Sequence, residues 1–134
     1  DLGKENGFSF FAVSGGFCAP MQDFKLDRYQ VNDCIETTNA AYEKIASLNN
    51  IKKVFIFAEW ANYTKGYRDN GDGKKDIPAI ASDSIGSAKS SIENKEVFSR
   101  SLIKSIEYLQ KAGKKVYVLK SVPEFKQRVL AYII

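Results

Sequence analysis

The residues with chemical potential lie in a few short segments, and one type is missing. None of the 134 residues is a histidine, which removes the commonest general base and metal ligand. No Ser/His/Asp or Cys/His arrangement can be assembled from the chain. Two cysteines leave a structural zinc short of at least two suitably spaced ligands, so neither metal nor cofactor is expected. Gly15 and Gly16 could turn backbone amides outward toward an oxyanion or a phosphate. The pair lacks the rest of a Rossmann fingerprint or a P-loop, and a plain tight turn is the alternative. Trp60, Asn62 and Tyr63 combine a flat apolar face with hydrogen-bonding groups, a surface suited to a carbohydrate or an acyl group; core packing of Trp60 is the alternative. Glu59 is either a base or an ordinary exposed or ion-paired carboxylate.

Two further patterns need weighing. Residues 69–76 resemble a calcium loop, but aligning Gly73 with the invariant loop glycine puts Arg68 in place of the first acidic ligand and Ala79 in place of the bidentate Glu. That geometry fails, and the segment reads as a turn. Cys18 and Cys34 stand 16 positions apart. A bridge would fasten a loop to the helix that follows it, stabilise the fold by ~3 kcal/mol and imply an oxidising compartment. Two reduced thiols are the alternative.

The elements that must position these residues follow from composition and periodicity. With 44% apolar and 27% charged residues, the chain has the length and make-up of one domain with a real core; a disordered tail, a collagen and a coiled coil are excluded. Its longest apolar runs, such as 54–58, fall far short of the ~20 residues that cross a bilayer. The formal charge of +4 is uneven: residues 1–50 carry 4 basic and 7 acidic side chains, and residues 95–134 carry 9 and 3. The C-terminal basic residues are scattered without aromatic interleaving, as on a solvated face, so no nucleic-acid partner is expected. Strands are predicted over 8–14, 53–58 and 115–119, from apolar runs bounded by glycine or polar residues. The run at 53–58 does not alternate, as expected when both faces of a strand are covered. Helices are predicted over 31–48 and 95–112, the first from apolar residues at three- and four-residue spacing. The second has Phe98, Leu102, Ile106 and Leu109 on one stripe, Asn94 as its cap and Gly113 as its stop. Residues 64–94 read as a long surface excursion, and 125–134 as a short helix or a partial strand. Alternating strands and helices predict an α/β fold with a mainly parallel sheet. Function is then expected beyond the carboxyl ends of the strands, at residues 14–16, 59–63 and 120–124. The opening Asp1, with no leader-like segment ahead of it, reads as the start of a processed or excised piece.

Phe10-Phe-Ala-Val-Ser-Gly-Gly-Phe-Cys-Ala-Pro20, Cys34, Val54-Phe-Ile-Phe-Ala-Glu-Trp-Ala-Asn-Tyr63, and the run from Phe98 through Val118 toward Val122-Pro-Glu124 appear in a familiar order. Together they resemble the SGNH hydrolase-like domain appended to membrane acyltransferases of family 3, bacterial enzymes that O-acetylate envelope polysaccharide, lipopolysaccharide or peptidoglycan. The resemblance covers nearly the whole chain. It implies a flavodoxin-like three-layer sandwich on the periplasmic or extracellular face of the inner membrane. The implied partners are an acyl donor presented by a membrane domain and an envelope glycan acceptor. Gly15, Gly16 and, by proximity, Asn62 become oxyanion donors; Glu59, Trp60 and Tyr63 become substrate-binding candidates; and Cys18 and Cys34 match a cysteine pair common in such domains. The Gly-Asp-Ser nucleophile block and the Asp-x-x-His block of that family do not occur here. The chain therefore resembles the middle of a catalytic domain and is expected to be inactive alone. The first strand of such a sheet would lie between those at 8–14 and 53–58, and its absence would leave edges that pair with each other or with a second copy of the chain. A non-catalytic carbohydrate-binding module and a cytoplasmic flavodoxin-like domain are the rival readings.

Overall fold

A computed structural model describes residues 18–27, 33–64, 67–69, 75–78 and 80–120. In chain order the elements are β1 (Lys25–Leu26), α1 (Cys34–Ser47), β2 (Lys53–Ile56), α2 (Trp60–Thr64), β3 (Tyr67–Asp69), β4 (Lys75–Pro78), β5 (Ala81–Ser82), α3 (Ser91–Lys111) and β6 (Lys115–Val118). The strands predicted at 53–58 and 115–119 are β2 and β6. They pair in parallel with Val54 opposite Val116 and Ile56 opposite Val118. Two parallel neighbours separated by a 21-residue helix form the crossover expected of an α/β chain. The strand predicted at 8–14, the Gly15-Gly16 turn and the tail 125–134 lie outside the described residues.

Each helix starts and stops for identifiable reasons. α1 turns Cys34, Thr38 and Tyr42 inward at four-residue spacing. Its last turn is held by the Lys114 ammonium, which donates to the Leu48 carbonyl at 2.8 Å, a cation at the negative end of a helix. α3 begins four residues earlier than the sequence predicts. Ser90, in extended conformation, accepts the Glu93 amide through its hydroxyl, while Glu93 accepts the Lys89 amide at 2.7 Å, much as in a capping box. Asn94 is not the cap. It lies buried in the first turn and accepts the Ala81 amide at 3.0 Å, so it ties α3 to β5. The predicted stop holds: Gly113 has φ +75 and donates to Gln110, and Lys114 donates to Leu109, a Schellman closure that needs a residue free to enter the left-handed region.

The excursion predicted over 64–94 is more ordered than expected. β3 and β4 pair antiparallel around the former calcium-loop candidate, with Asp69 opposite Lys75. β5 pairs antiparallel with β1. Among the described residues the sheet is thus three separate two-stranded pairs, of which only β2–β6 is parallel. These strands are two to four residues long and partly irregular, too short to show a period in sequence.

The core forms two clusters. One gathers Ala19, Met21, Phe24, Leu26, Ala81, Ala88 and Val97 beneath Phe98 and Leu102. The other packs Tyr42 and Leu109 against Ile56, Val54 and Val116, so both long helices cover the same face of β2–β6. The opposite face is not covered by described residues. Phe55 is 55% exposed and stacks on Tyr117 at 4.9 Å, and Phe57 is 70% exposed. The expectation that both faces of this strand are buried is therefore not met.

Cys18 and Cys34 are joined, with Cα atoms 5.2 Å apart. The loop-to-helix bridge is present, and the alternative of two free thiols is set aside. Reduction, or Cys34→Ser, is expected to lower unfolding free energy by about 3 kcal/mol from the closed-loop entropy; urea titration of the oxidised and reduced forms measures it.

Candidate functional site

β2 and β6 run side by side, so their carboxyl ends open at the same edge, where an α/β sheet presents its site. Past the end of β2 the chain passes Glu59, which is exposed, and enters the five-residue helix α2. Trp60 opens this helix and closes the edge. Its indole N–H donates to the Leu119 carbonyl at 2.6 Å, while the Leu119 amide donates to the Ile56 carbonyl at 2.9 Å. The Trp60 ring meets Phe98 edge-on at 5.8 Å and packs against the second core cluster. One side chain thus links the ends of both strands to the middle of α3. The indole N–H is committed to the protein itself, so the packing role is real, and any ligand would meet only the ring that remains accessible.

Tyr63 lies one helical turn on. Its ring is partly buried and edge-on to Phe24 at 5.9 Å, and Phe24 in turn meets Phe98 at 6.4 Å. Trp60, Phe98, Phe24 and Tyr63 thereby form an aromatic chain from the strand ends to the first core cluster. Asn62 lies between Trp60 and Tyr63 in α2, with its side chain outside the described residues. Glu59, Trp60, Asn62 and Tyr63 share one place because they are contiguous. Gly15 and Gly16 lie outside the described residues. Among the described residues no cluster of His, Cys, Asp or Glu could hold a metal ion.

A second polar locus was not anticipated from sequence. Asp23, Asp83, Ser84, Arg100 and Lys104 line a cleft of about 210 Å³. Arg100 grips Asp83 with two nitrogens, at 2.5 and 2.9 Å, and Asp83 also accepts the amides of Ile85 and Gly86. Lys104 reaches Asp23 at 2.7 Å, and the Ser84 hydroxyl also donates to Asp23. Two carboxylates face two cations, so the cleft carries no net charge to draw an ionic ligand. It joins the 18–27 segment, the β5 turn and α3. These residues escaped the sequence reading because they come from three distant segments and none has a local motif.

The hydrogen bond from Lys104 holds the Asp23 carboxyl below its ordinary value, and the bond from Arg100 does the same for Asp83. Burial pushes the Tyr42 phenol up to about 12.

A family model described as SGNH domain (fused to AT3 domains) matches residues 1–133. The chain belongs to this family. No curated protein and no solved structure matches it. Membership makes the chain an SGNH domain associated with an acyltransferase and part of a membrane protein, while no helix among its described residues is long and apolar enough to cross a membrane. In this SGNH domain the first cysteine, the β2 strand leading to Trp60, and β6 occur in the order that the resemblance implied.

Two outcomes follow from this geometry. Asp23 and Asp83 have folded-state values depressed below 3.8, so their contribution is fully present above that value and is lost as pH falls through the lowered values. Urea unfolding at pH 7, 4 and 2.5 should show stability declining below about pH 4, with a shallower decline in Asp83→Asn. Trp60→Phe keeps the ring contact with Phe98 and removes the tie to Leu119. It should cost about 1 kcal/mol, readable in the urea midpoint.

Proposed function

We propose that this SGNH domain serves acyl transfer, in which an acetyl group delivered through a membrane acyltransferase domain is passed to a hydroxyl of a cell-envelope glycan. The observation that carries the reading is the family match over residues 1–133, to a domain fused to AT3 domains. The Cys18–Cys34 bridge supports an oxidising compartment, hence the periplasmic or extracellular side of the membrane.

We take the domain to be a flavodoxin-like three-layer sandwich, in which a further layer would cover the Phe55–Tyr117 face. An activated serine would attack the acyl carbonyl, its proton passing to a base; collapse of the tetrahedral intermediate would expel the donor's leaving group, which takes that proton, and leave an acyl-enzyme. The glycan hydroxyl would then attack this ester, losing its proton to the same base, and collapse would release the acylated glycan and the reprotonated serine. The chain's own contribution would be the oxyanion donors, the amide at Gly16 beside Gly15 and the side chain of Asn62, together with an acceptor surface at Glu59, Trp60 and Tyr63. The position of Trp60 and Tyr63 beyond the carboxyl ends of two parallel strands supports this assignment. Neither a histidine nor a Gly-Asp-Ser block occurs in the 134 residues, so this reading needs the attacking and proton-transfer groups to be supplied from outside them.

Two measurements test the reading. The 134-residue chain alone should release no product from p-nitrophenyl acetate above the buffer blank, and turnover that co-purifies with it would contradict the assignment. In the intact membrane protein, Asn62→Ala should lower kcat for acetyl transfer about 10²-fold or more if Asn62 is an oxyanion donor; unchanged kcat would remove Asn62 from that role.

A further inference from the structure

The cleft beside α3 is built from charges that are paired with one another but whose hydrogen-bonding capacity is not exhausted. Asp83 is saturated, since its two oxygens accept Arg100 twice and the Ile85 and Gly86 amides. Asp23 is not. Its Oδ2 accepts both Lys104 and the Ser84 hydroxyl, while its Oδ1 has no partner among the described residues. Lys104 uses one of its three donors and Arg100 two of its five. Ser84 donates to Asp23 and keeps its lone pairs. The cleft therefore retains donors and acceptors together, and Ile85, 79% exposed, adds an apolar flank.

These groups are held in place by the protein itself. Asp23 is the one non-glycine with positive φ among the described residues, at 59°. Its amide donates to Asn39 Oδ1 at 3.0 Å, and the amide before it, of Gln22, donates to the buried Ser105 Oγ at 2.8 Å, so its carboxylate projects from a backbone that its surroundings fix. Polar groups ordered in advance bind without the cost of immobilising them. Charge then selects the ligand. An ionic ligand could enter only by breaking a pair and leaving a partner charge unmatched. A neutral ligand with adjacent hydroxyls can donate to Asp23 Oδ1 and accept from Lys104 and Arg100 with both pairs intact, and lay its apolar ring face on Ile85. We propose that the cleft binds one neutral sugar ring of a glycan, through Asp23, Ser84, Arg100 and Lys104. Its volume of about 210 Å³ lies below the roughly 300 Å³ at which pockets for drug-sized molecules begin, a size that suits a single ring. Trp60 does not line it, so the site is separate from the acceptor surface at the strand ends, and binding there requires no acyl chemistry.

Saturation-transfer NMR on the intact membrane protein, in a detergent without a sugar headgroup, tests this with maltotetraose, cellotetraose and chitotetraose as neutral probes and tetragalacturonate as the anionic one. At least one neutral probe should bind saturably with a dissociation constant of about 1 mM, and tetragalacturonate at least about tenfold more weakly. Ser84→Trp fills the cleft from an exposed turn, and Lys104→Met removes the donors of a side chain that is 58% exposed. Each should weaken the neutral probe at least about tenfold. Thermal melting separates a lost fold from a lost site, and Lys104→Met decides if Ser84→Trp unfolds. The proposal is overturned if no neutral probe binds, if the folded variants bind as tightly as wild type, or if tetragalacturonate matches the neutral probes. No acyl donor is present in the measurement, so a protein that transfers no acetyl group would remove the acyl-transfer reading and leave the binding result standing.

Discussion

An irregular segment packed against a core cannot satisfy its own backbone, and that constraint shapes much of this molecule. Residues 20–23 make few ladder bonds, so the helices beside them must supply polar atoms where apolar ones would otherwise pack. The centre of α3 accordingly carries Ser101 and Ser105, both buried, and the inner face of α1 carries a phenol that serves both the core and the Pro20 carbonyl. The small side chains of Ser101 and Ser105 leave room for residues 20–23 beside the helix, and the Ser105 hydroxyl accepts the Gln22 amide, which would be costly to leave unpaired.

The same constraint explains why the core is divided. The polar centre of α3 lies between the cluster around Phe24 and the cluster around Leu109, which are bridged through Trp60 and Phe98. Trp60 suits that place because it offers a large apolar face and one N–H, and the N–H finds the carbonyl that follows β6. A residue attractive as a ligand platform is thus also what fastens two strand ends together. Both roles draw on the same amphipathic chemistry, and the committed N–H leaves the ring face as the part open to a substrate.

Charge is distributed by a similar logic. Asp23 and Asp83 are kept ionised by Lys104 and Arg100, partners that lie one helical turn apart on α3. The segment around Asp23 and the turn after β5 are thereby held to a single helix face. The exposed Phe55, Phe57 and Tyr117 mark the opposite extreme, an apolar face of β2–β6 with no covering layer among the described residues.

Local physics alone determined the regular parts. The four-residue stripe of α1, the apolar runs at β2 and β6 and the glycine that ends α3 are written in neighbouring residues, so periodicity and backbone freedom reveal them. The ordered motifs from Phe10 to Val118 were enough to reveal the family. The pairing of β1 with β5, the buried serines and the ion-paired cleft were not legible, because each joins residues far apart in the chain; the start of α3 is a local Ser90–Glu93 capping pair that the choice of Asn94 as cap passed over. Gln22 and Ser105 are 83 positions apart, and neither has a local pattern pointing to the other. Asn94 reads as a cap in isolation and becomes a β5 anchor only when Ala81 is brought beside it. What decides such roles is the desolvation of a polar group by neighbours that the fold supplies, and a local window contains no record of which neighbours those are.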